Sequence, residues 1–399
     1  MADIYKAVKL TDKVYWVGAI DWTIRDFHGY TTHRGSTYNA YLILADKITL
    51  VDTVKAPFRE ELISRIASVV DPRDIEIIVS NHSEMDHTGC LYELIDLIQP
   101  EQVVASTMGT KTLGDIYHRE RTITPVKDGG ELSLGNMRLR FMETRMLHWP
   151  DSMFSYLPEE EILFSQDAFG MHLATAERFD DEIDPAILDY EGATYFANII
   201  LPYAPLVTRL LSRVGSSGMT FKFIAPDHGP IWRRDIPGVI ANYSRWAAQK
   251  PTMKSVVVYG TMWHSTERMA RAICEGLAAA GAAAKCMSME VFHRSDVVYE
   301  VLDAGALIVG SSTLNNNMLP QVADVLTYLK GLRPANLLGA SFGSYGWSGE
   351  AAVHIADILK EMKVSPVAEP LKAQHVPTRE DLRKCYALGE EIARKLGEK

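Results

Sequence analysis

Ile75-Glu76-Ile77-Ile78-Val79-Ser80-Asn81-His82-Ser83-Glu84-Met85-Asp86-His87 is the stretch on which the fold turns. Its first part is apolar and isoleucine-rich, which predicts a strand over 75–80. Its second part sets two imidazoles and two carboxylates within six residues at the end of that strand. Such a loop lets its side chains converge, and imidazole mixed with carboxylate is the ligand chemistry of zinc and of non-haem iron. The alternative is a solvated polar turn in which Asp86 caps a helix.

Working outward, short strand patterns recur on both sides. Val14-Tyr15-Trp16-Val17, 38–44 and Ile48-Thr49-Leu50-Val51 precede the motif, and Leu139-Arg140-Phe141 and Met153-Phe154-Ser155-Tyr156 follow it. Helical patterns fall at 57–69, 89–98 and 191–213, which together predict a strand-rich sheet with helices outside. Three more potential ligands sit in turns after apolar stretches: His148, Asp167 and His228. A sheet fold would carry them to one rim. His82, Glu84, Asp86, His87, His148, Asp167 and His228 are too many for one tetrahedral ion and suit two, provided one carboxylate bridges them. Asp52, at the end of an apolar strand, reads either as a group that orients a ligand or as a turn former.

The character of the chain changes at Gln249-Lys250-Pro251-Thr252, which divides it into 1–250 and 251–399. Beyond that point strands at 255–259, 284–289, 306–310, 336–342 and 364–369 alternate with helices at 266–279, 295–304, 318–330, 349–362 and 378–397. This rhythm predicts an α/β doubly wound parallel sheet, whose ligands lie beyond the carboxyl ends of its strands. Three loops qualify there. Thr261, Met262, Trp263, Ser265 and Thr266 come from the first, Thr313 and Asn315 from the second, and Ser344, Tyr345, Trp347 and Gly349 from the third. Hydroxyls before a helix suit a phosphate, and the aromatic rings suit a flat heterocycle such as that of FMN. Taken singly, each loop reads equally as an N-cap or a tight turn. No Gly-x-Gly-x-x-Gly follows a strand, so direct binding of a nicotinamide dinucleotide has no support.

Composition bounds the rest. With 399 residues, 47% of them hydrophobic, the chain can bury a sizeable core, which excludes a peptide, a coiled coil and a disordered tail. A net charge of −10 disfavours nucleic acid and anionic lipid as partners. No apolar run reaches the roughly 18 residues that would span a bilayer, and the first residues lack a signal pattern, so a cytoplasmic protein is expected. The four cysteines, Cys90, Cys274, Cys286 and Cys385, contain no C-x-x-C pair. Any electron-transfer groups must therefore be something other than cysteine-bound metal.

The order His-x-Glu-x-Asp-His, then His148, Asp167 and His228, resembles the metal signature of the metallo-β-lactamase fold, an αββα sandwich. Hydrolases of that fold usually carry histidine where Glu84 stands. Carboxylate in place of imidazole adds a negative charge and a hard oxygen ligand, which favours iron over zinc and redox over hydrolysis. With a flavodoxin-like region behind it, the chain resembles, over essentially its whole length, the flavodiiron proteins, or A-type flavoproteins, of the rubredoxin:oxygen oxidoreductase and nitric oxide reductase type.

The resemblance implies a ligand set and an activity. His82, Glu84 and His148 would hold one iron, Asp86, His87 and His228 the other, and Asp167 would bridge. His28 and Tyr195 match positions near the iron pocket, where each could hydrogen-bond a reduced oxygen species or pass a proton. FMN would feed the irons, which would reduce dioxygen to water and/or nitric oxide to nitrous oxide. The first flavin loop departs from many flavodoxins in lacking an internal glycine. A head-to-tail homodimer or a dimer of such dimers is implied, with an external donor such as rubredoxin or a reduced deazaflavin. The chain ends at Lys399 soon after its last helical pattern, so no appended electron-transfer module is expected. Two other classes remain open at this stage: a zinc-dependent hydrolase of the metallo-β-lactamase fold with an accessory flavodoxin-like domain, and a simple FMN electron carrier.

Overall fold

A computed structural model describes residues 4–119 and 122–398. The chain divides into two compact units. One comprises Met1–His28, Thr32–Tyr195 and Pro205–Ser244, and the other Gly29–Thr31, Phe196–Ala204 and Arg245–Lys399.

The first unit is built on two sheets. Seven strands run in the order Val8–Lys9, Val14–Trp16, Tyr41–Ile43, Thr49–Val51, Ile77–Ser80, Gln102–Ser106 and Thr124–Val126. The first three pairings are antiparallel and the last three parallel. Five strands form the second sheet, in the order Glu131–Ser133, Arg138–Glu143, Met153–Leu157, Ile162–Gln166 and Phe223–Pro226.

Side-chain alternation on Ile77–Ser80 shows why the layers form. Ile77 and Val79 point into the core between the sheets, beside Phe141, Met153 and Phe164. Ile78 points the other way, towards Leu62 and Ile66 of the helix Arg59–Ala67 and Leu91, Leu94 and Ile95 of the helix Leu91–Ile98. A strand buried on both faces must be apolar at every position, which explains its unbroken pattern in the sequence. Each such side chain stabilises the fold by about 1.5–3 kcal/mol.

The same topology places the loops. Ile162–Gln166 and Phe223–Pro226 are parallel, so Asp167 and His228 leave the second sheet at one rim. Arg138–Glu143 is antiparallel to Met153–Leu157, which is antiparallel to Ile162–Gln166, so the loop 144–152 carrying His148 emerges there too.

In the second unit a parallel sheet runs in the order Ala283–Ser288, Lys254–Gly260, Ala306–Ser312 and Leu338–Tyr345, with two short strands beyond. In chain order this is 2-1-3-4-5, the flavodoxin-like arrangement, whose order reverses between Lys254–Gly260 and Ala306–Ser312. Val257, Ile308 and Phe342 pack against Met269, Ile273 and Leu277 of the helix Ser265–Ala279 and Leu388 and Ile392 of the helix Arg379–Gly397.

Two elements differ from the sequence expectation. The strand predicted at 364–369 is two strands, Ser365–Pro366 and Leu371–Gln374, both parallel to Leu338–Tyr345. Pro366 and Pro370 carry no N–H for the ladder, so the edge strand breaks between its two pairings. The helix predicted at 191–213 is a helix Pro185–Tyr195, a π-helical turn Phe196–Ile200, a tight turn Leu201–Tyr203 and a second helix Ala204–Ser216. Pro202 and Pro205 deny it a continuous ladder of backbone hydrogen bonds. The strand Gln102–Ser106 and the helix Thr107–Tyr117 are further elements that the sequence reading did not pick out. No helix of the described residues is long and apolar enough to cross a membrane.

Candidate metal centre and flavin crevice

The loop after Ile77–Ser80 is fastened before any ligand is placed. Asp52, at the end of Thr49–Val51, stands in the left-handed region (φ 58°) and accepts hydrogen bonds from the Asn81 backbone N–H and side-chain amide, both at 2.7 Å. The Asn81 carbonyl accepts from the Met153 N–H at 2.9 Å, and Ser155 Oγ donates to Asn81 Oδ1 at 2.5 Å. Asn81 is thereby tied to both sheets, so Asp52 orients the loop. Downstream, Thr53 Oγ1 donates to the His87 carbonyl at 2.5 Å.

From that frame the seven predicted ligands converge, and they divide around Asp167. Its Oδ2 lies 3.3 Å from His82 Nε2 and 2.9 Å from His148 Nε2, and Glu84 Oε2 is 3.0 Å from the same His148 nitrogen. On the other side, Asp167 Oδ1 lies 3.6 Å from His87 Nε2 and 3.5 Å from His228 Nε2. Asp86 Oδ2 is 3.3 and 3.2 Å from those two nitrogens. One carboxylate therefore faces two donor sets with one oxygen each.

These spacings fit two cations. Ligands bonded at about 2.1 Å to one ion stand about 3.0 Å apart at a right angle and about 3.4 Å apart at the tetrahedral angle. The His87 and His228 Nε2 atoms face each other at 3.1 Å, where one proton could serve only one of them and a shared cation serves both. Both oxygens of Asp86 and both of Asp167 are buried without a hydrogen bond among the described residues, as is His82 Nε2. Four imidazoles with three carboxylates form a mixed nitrogen and hard-oxygen set, the type that suits non-haem iron.

Electrostatics agree. Burial alone would pull the His148 pKa down, but the carboxylates of Asp167 and Glu84 beside its Nε2 outweigh it and lift the imidazole to about 9. In His82 burial is overridden by Asp167, and in His228 by Asp86, so both also rise. Burial would raise Asp167, yet the charge of His82 and the close approach of His148 hold it well below the usual carboxylate range. A pocket that retains protons this strongly attracts cations generally.

The remaining candidates fall around this cage. His28 Nε2 is 2.7 Å from Glu84 Oε1, and its side chain is 59% exposed. Tyr195 packs edge-on to the His172 ring at 5.1 Å, and burial raises its phenol so far that it keeps its proton.

Sequence reasoning missed three groups here. His228 Nδ1 donates to the Thr37 carbonyl at 2.6 Å, which turns Nε2 towards the cage. His172, fully buried and driven neutral by burial and by His228, shares Ser36 with it. Asp227 is fully buried, with Oδ2 3.5 Å from His82 Nδ1 and 3.8 Å from His87 Nδ1. Burial, then Asp52, raise its carboxyl well above the ordinary range, while His82 works against them. A residue beside His228 in the chain gave no sign that its partners lay in another loop.

The second unit holds a crevice of ≈ 840 Å³ at the carboxyl ends of its strands. Of the predicted residues, Met262, Trp263, Ser265, Thr313, Asn315, Ser344, Tyr345 and Trp347 line it. Thr261 is buried outside the lining. Thr266 turns inward, its hydroxyl 3.0 Å from Ser312 Oγ and 2.8 Å from Ser344 Oγ, and so braces the wall. Gly349 precedes the helix Glu350–Glu361, and a Cβ there would meet the Tyr345 ring at 3.0 Å, so its small size makes room for that wall residue. Ser312 joins the lining from the second of the three loops, and His375 and Val376 join it from outside all three. The last two follow Leu371–Gln374, a strand the sequence reading misplaced.

Comparisons with known proteins agree with this geometry. Residues 37–229 match the model of the ODP family beta lactamase, and residues 257–389 match flavodoxin. A nitric oxide reductase of Moorella thermoacetica is 46% identical over 98% of this chain and 99% of its own. The structure of rubredoxin oxygen:oxidoreductase from Desulfovibrio gigas matches at a TM-score of 0.97 and 44% identity, covering 98% of this chain and 99% of that one. That of the flavodiiron protein from Giardia intestinalis matches at 0.96 and 33%, covering 100% and 98%.

A beta-lactamase-like unit with a paired carboxylate and histidine cage, followed by a flavodoxin-like unit, defines a two-domain class distinct from the zinc hydrolases of the same fold. The chain belongs to the flavodiiron protein family.

Proposed function

We propose that the chain is an FMN- and diiron-dependent oxidoreductase that reduces dioxygen to water and/or nitric oxide to nitrous oxide, in the service of detoxification. The observation that carries the reading is Asp167, whose two oxygens each face a separate set of nitrogen and oxygen donors. His82, Glu84 and His148 would hold one iron and Asp86, His87 and His228 the other, with Asp167 between them. The names of the Moorella and Desulfovibrio relatives support nitric oxide and dioxygen as substrates, and that of the second supports rubredoxin as donor. A reduced deazaflavin is the alternative donor.

When bound, the irons supply gas binding and two electrons and the reduced flavin two more, the four that full reduction of dioxygen to two waters requires. The chain's own residues set the conditions. Glu84, Asp86 and Asp167 bring negative charge into a buried cage and would offset most of the charge of two divalent irons held there. His28 holds Glu84 Oε1, leaving Oε2 for the cage, and its half-exposed ring offers a proton route from solvent to that carboxylate. Tyr195 retains a phenolic proton beside His172, its ring 6.1 Å from that of His228.

In the 251–399 region the hydroxyls of Ser265, Thr313 and Ser344 would meet the FMN phosphate side, and Trp263, Tyr345 and Trp347 the ring system. Trp263 and Trp347 are 85% and 91% exposed in the single chain, apolar surface that a second copy in a head-to-tail dimer would cover. The division at 1–250 and 251–399 and a cytoplasmic location complete the proposal.

The test is anaerobic purification with metal and flavin analysis, then separate challenge of the reduced protein with dioxygen and nitric oxide. Two irons and one FMN per chain with turnover of either gas are expected. Zinc in place of iron, or no consumption of either gas, sinks the reading.

A further inference from the structure

Asp227 sits where the mechanism above makes no use of it. It is fully buried, and neither carboxylate oxygen has a hydrogen bond among the described residues. Its backbone is clamped, because the Asp227 N–H donates to the Gln166 carbonyl at 2.9 Å and the Asp227 carbonyl accepts from the Asn39 N–H at 2.7 Å. The side chain is thereby aimed at two rings from the other loop. Oδ2 lies 3.5 Å from His82 Nδ1 and 3.8 Å from His87 Nδ1, and neither of those nitrogens has a hydrogen-bond partner among the described residues.

The two rings belong to opposite halves of the cage. His82 Nε2 faces Asp167 Oδ2, and His87 Nε2 faces Asp167 Oδ1. An imidazole that ligates through Nε2 must carry its proton on Nδ1, and it holds that tautomer and ring angle when Nδ1–H finds an acceptor. For both rings the nearby carboxylate on the Nδ1 side is Asp227. Oδ2 can accept whether the carboxyl is ionised or carries its proton on Oδ1. Asp227 is not placed as a ligand alongside these nitrogens, since one ring cannot turn both nitrogens to the same ion.

We infer that Asp227 is a positioning residue shared by the two metal sites, its Oδ2 facing the Nδ1 side of one histidine of each and so holding both rings in the ligating tautomer and orientation. Asp167 thus spans the cage from the inside and Asp227 from the outside. The inference rests on the diiron reading of the cage and adds a residue that acts through the ligands.

The test uses the full chain with FMN retained and metal stripped, titrated with Co(II) under anaerobic conditions and read by its visible ligand-field bands and by equilibrium dialysis. Wild-type protein is expected to bind two equivalents. Asp227→Ala removes the one oxygen that both rings face and is expected to weaken both equivalents by about 10–100-fold, with altered bands. Asp227→Asn keeps the size but leaves an uncharged amide oxygen, a weaker acceptor, at the point both rings face, so it is expected to weaken both equivalents by less than Ala does. FMN content and circular dichroism report folding, and should the Ala variant fail to fold, the isosteric Asn variant decides. Wild-type affinity and bands in the folded variants overturn the inference while leaving the metal cage intact. Clean loss of one equivalent with the other unchanged in Asp227→Ala also overturns it, because Asp227 would then serve a single ion. Failure of the wild-type chain to bind Co(II) overturns the diiron reading itself.

Discussion

The metal cage and the flavin crevice solve the problem of holding a group in opposite ways. The cage draws on four loops that emerge at one rim, and every ligand but His148 is nearly inaccessible, so its charges are desolvated and must be satisfied by one another or by cations. The crevice draws on loops at the ends of neighbouring parallel strands and leaves two tryptophans almost wholly in solvent. A buried cage gains rigidity from its surroundings, whereas an open crevice gains much of its shape from whatever fills it.

The sharpest break in that contrast is Asp167→Ala. Removing the carboxylate that faces both donor sets is expected to lower metal content from two ions to one or none and gas reduction by about 1,000-fold or more, with FMN content unchanged. Elemental analysis beside the flavin spectrum checks it. Parallel loss of FMN would show that the two regions are not independent.

Asp52→Ala comes next. It strips the acceptor from the buried Asn81 N–H and amide, an expected loss of about 2–4 kcal/mol from two buried hydrogen bonds to a carboxylate, measured by denaturant unfolding of the metal-free protein. On the crevice side, Trp347→Ala is expected to weaken FMN by about 10-fold, because an exposed ring contributes only part of its stacking energy. Fluorescence titration of the flavin-free protein reads that change. An effect beyond about 100-fold would mean that the ring is covered in the assembled protein.

The smallest effect expected is a pH slope confined to the cage. The His148 pKa rises from 6.5 to about 9 in the folded metal-free chain. Its stabilising contribution is therefore fully present below about 6.5 and is lost as pH climbs through about 9. His82 and His228 shift in the same direction. The melting temperature of stripped protein should fall across that window, and added divalent metal should flatten the slope because ligation replaces the proton. A slope that persists in the loaded protein would place its origin outside the cage.

Much of both regions was legible because their signals are local. Four of the seven candidate ligands lie in one loop, and the strands beneath them are apolar on both faces, so motif and scaffold can be read together. The crevice followed from strand rhythm plus turn chemistry. What neighbours in the chain could not show depended on contacts between segments far apart. Thr266 sits in the same turn as Ser265, but the hydroxyls of Ser312 and Ser344 draw it into the wall. His375 and Val376 were unreadable because two prolines broke the strand that delivers them.

By itself the chain of residues determined the layers, the alternating half and the donor chemistry of the cage, since polarity, periodicity and ligand type are properties of neighbours along the backbone. The tertiary structure alone decided which oxygen of Asp167 meets which histidines, that Asp52 anchors the loop, and that Asp227 stands behind two rings at once. Those are matters of direction, and a side chain acquires a direction only when sheets and backbone hydrogen bonds fix the frame on which it stands.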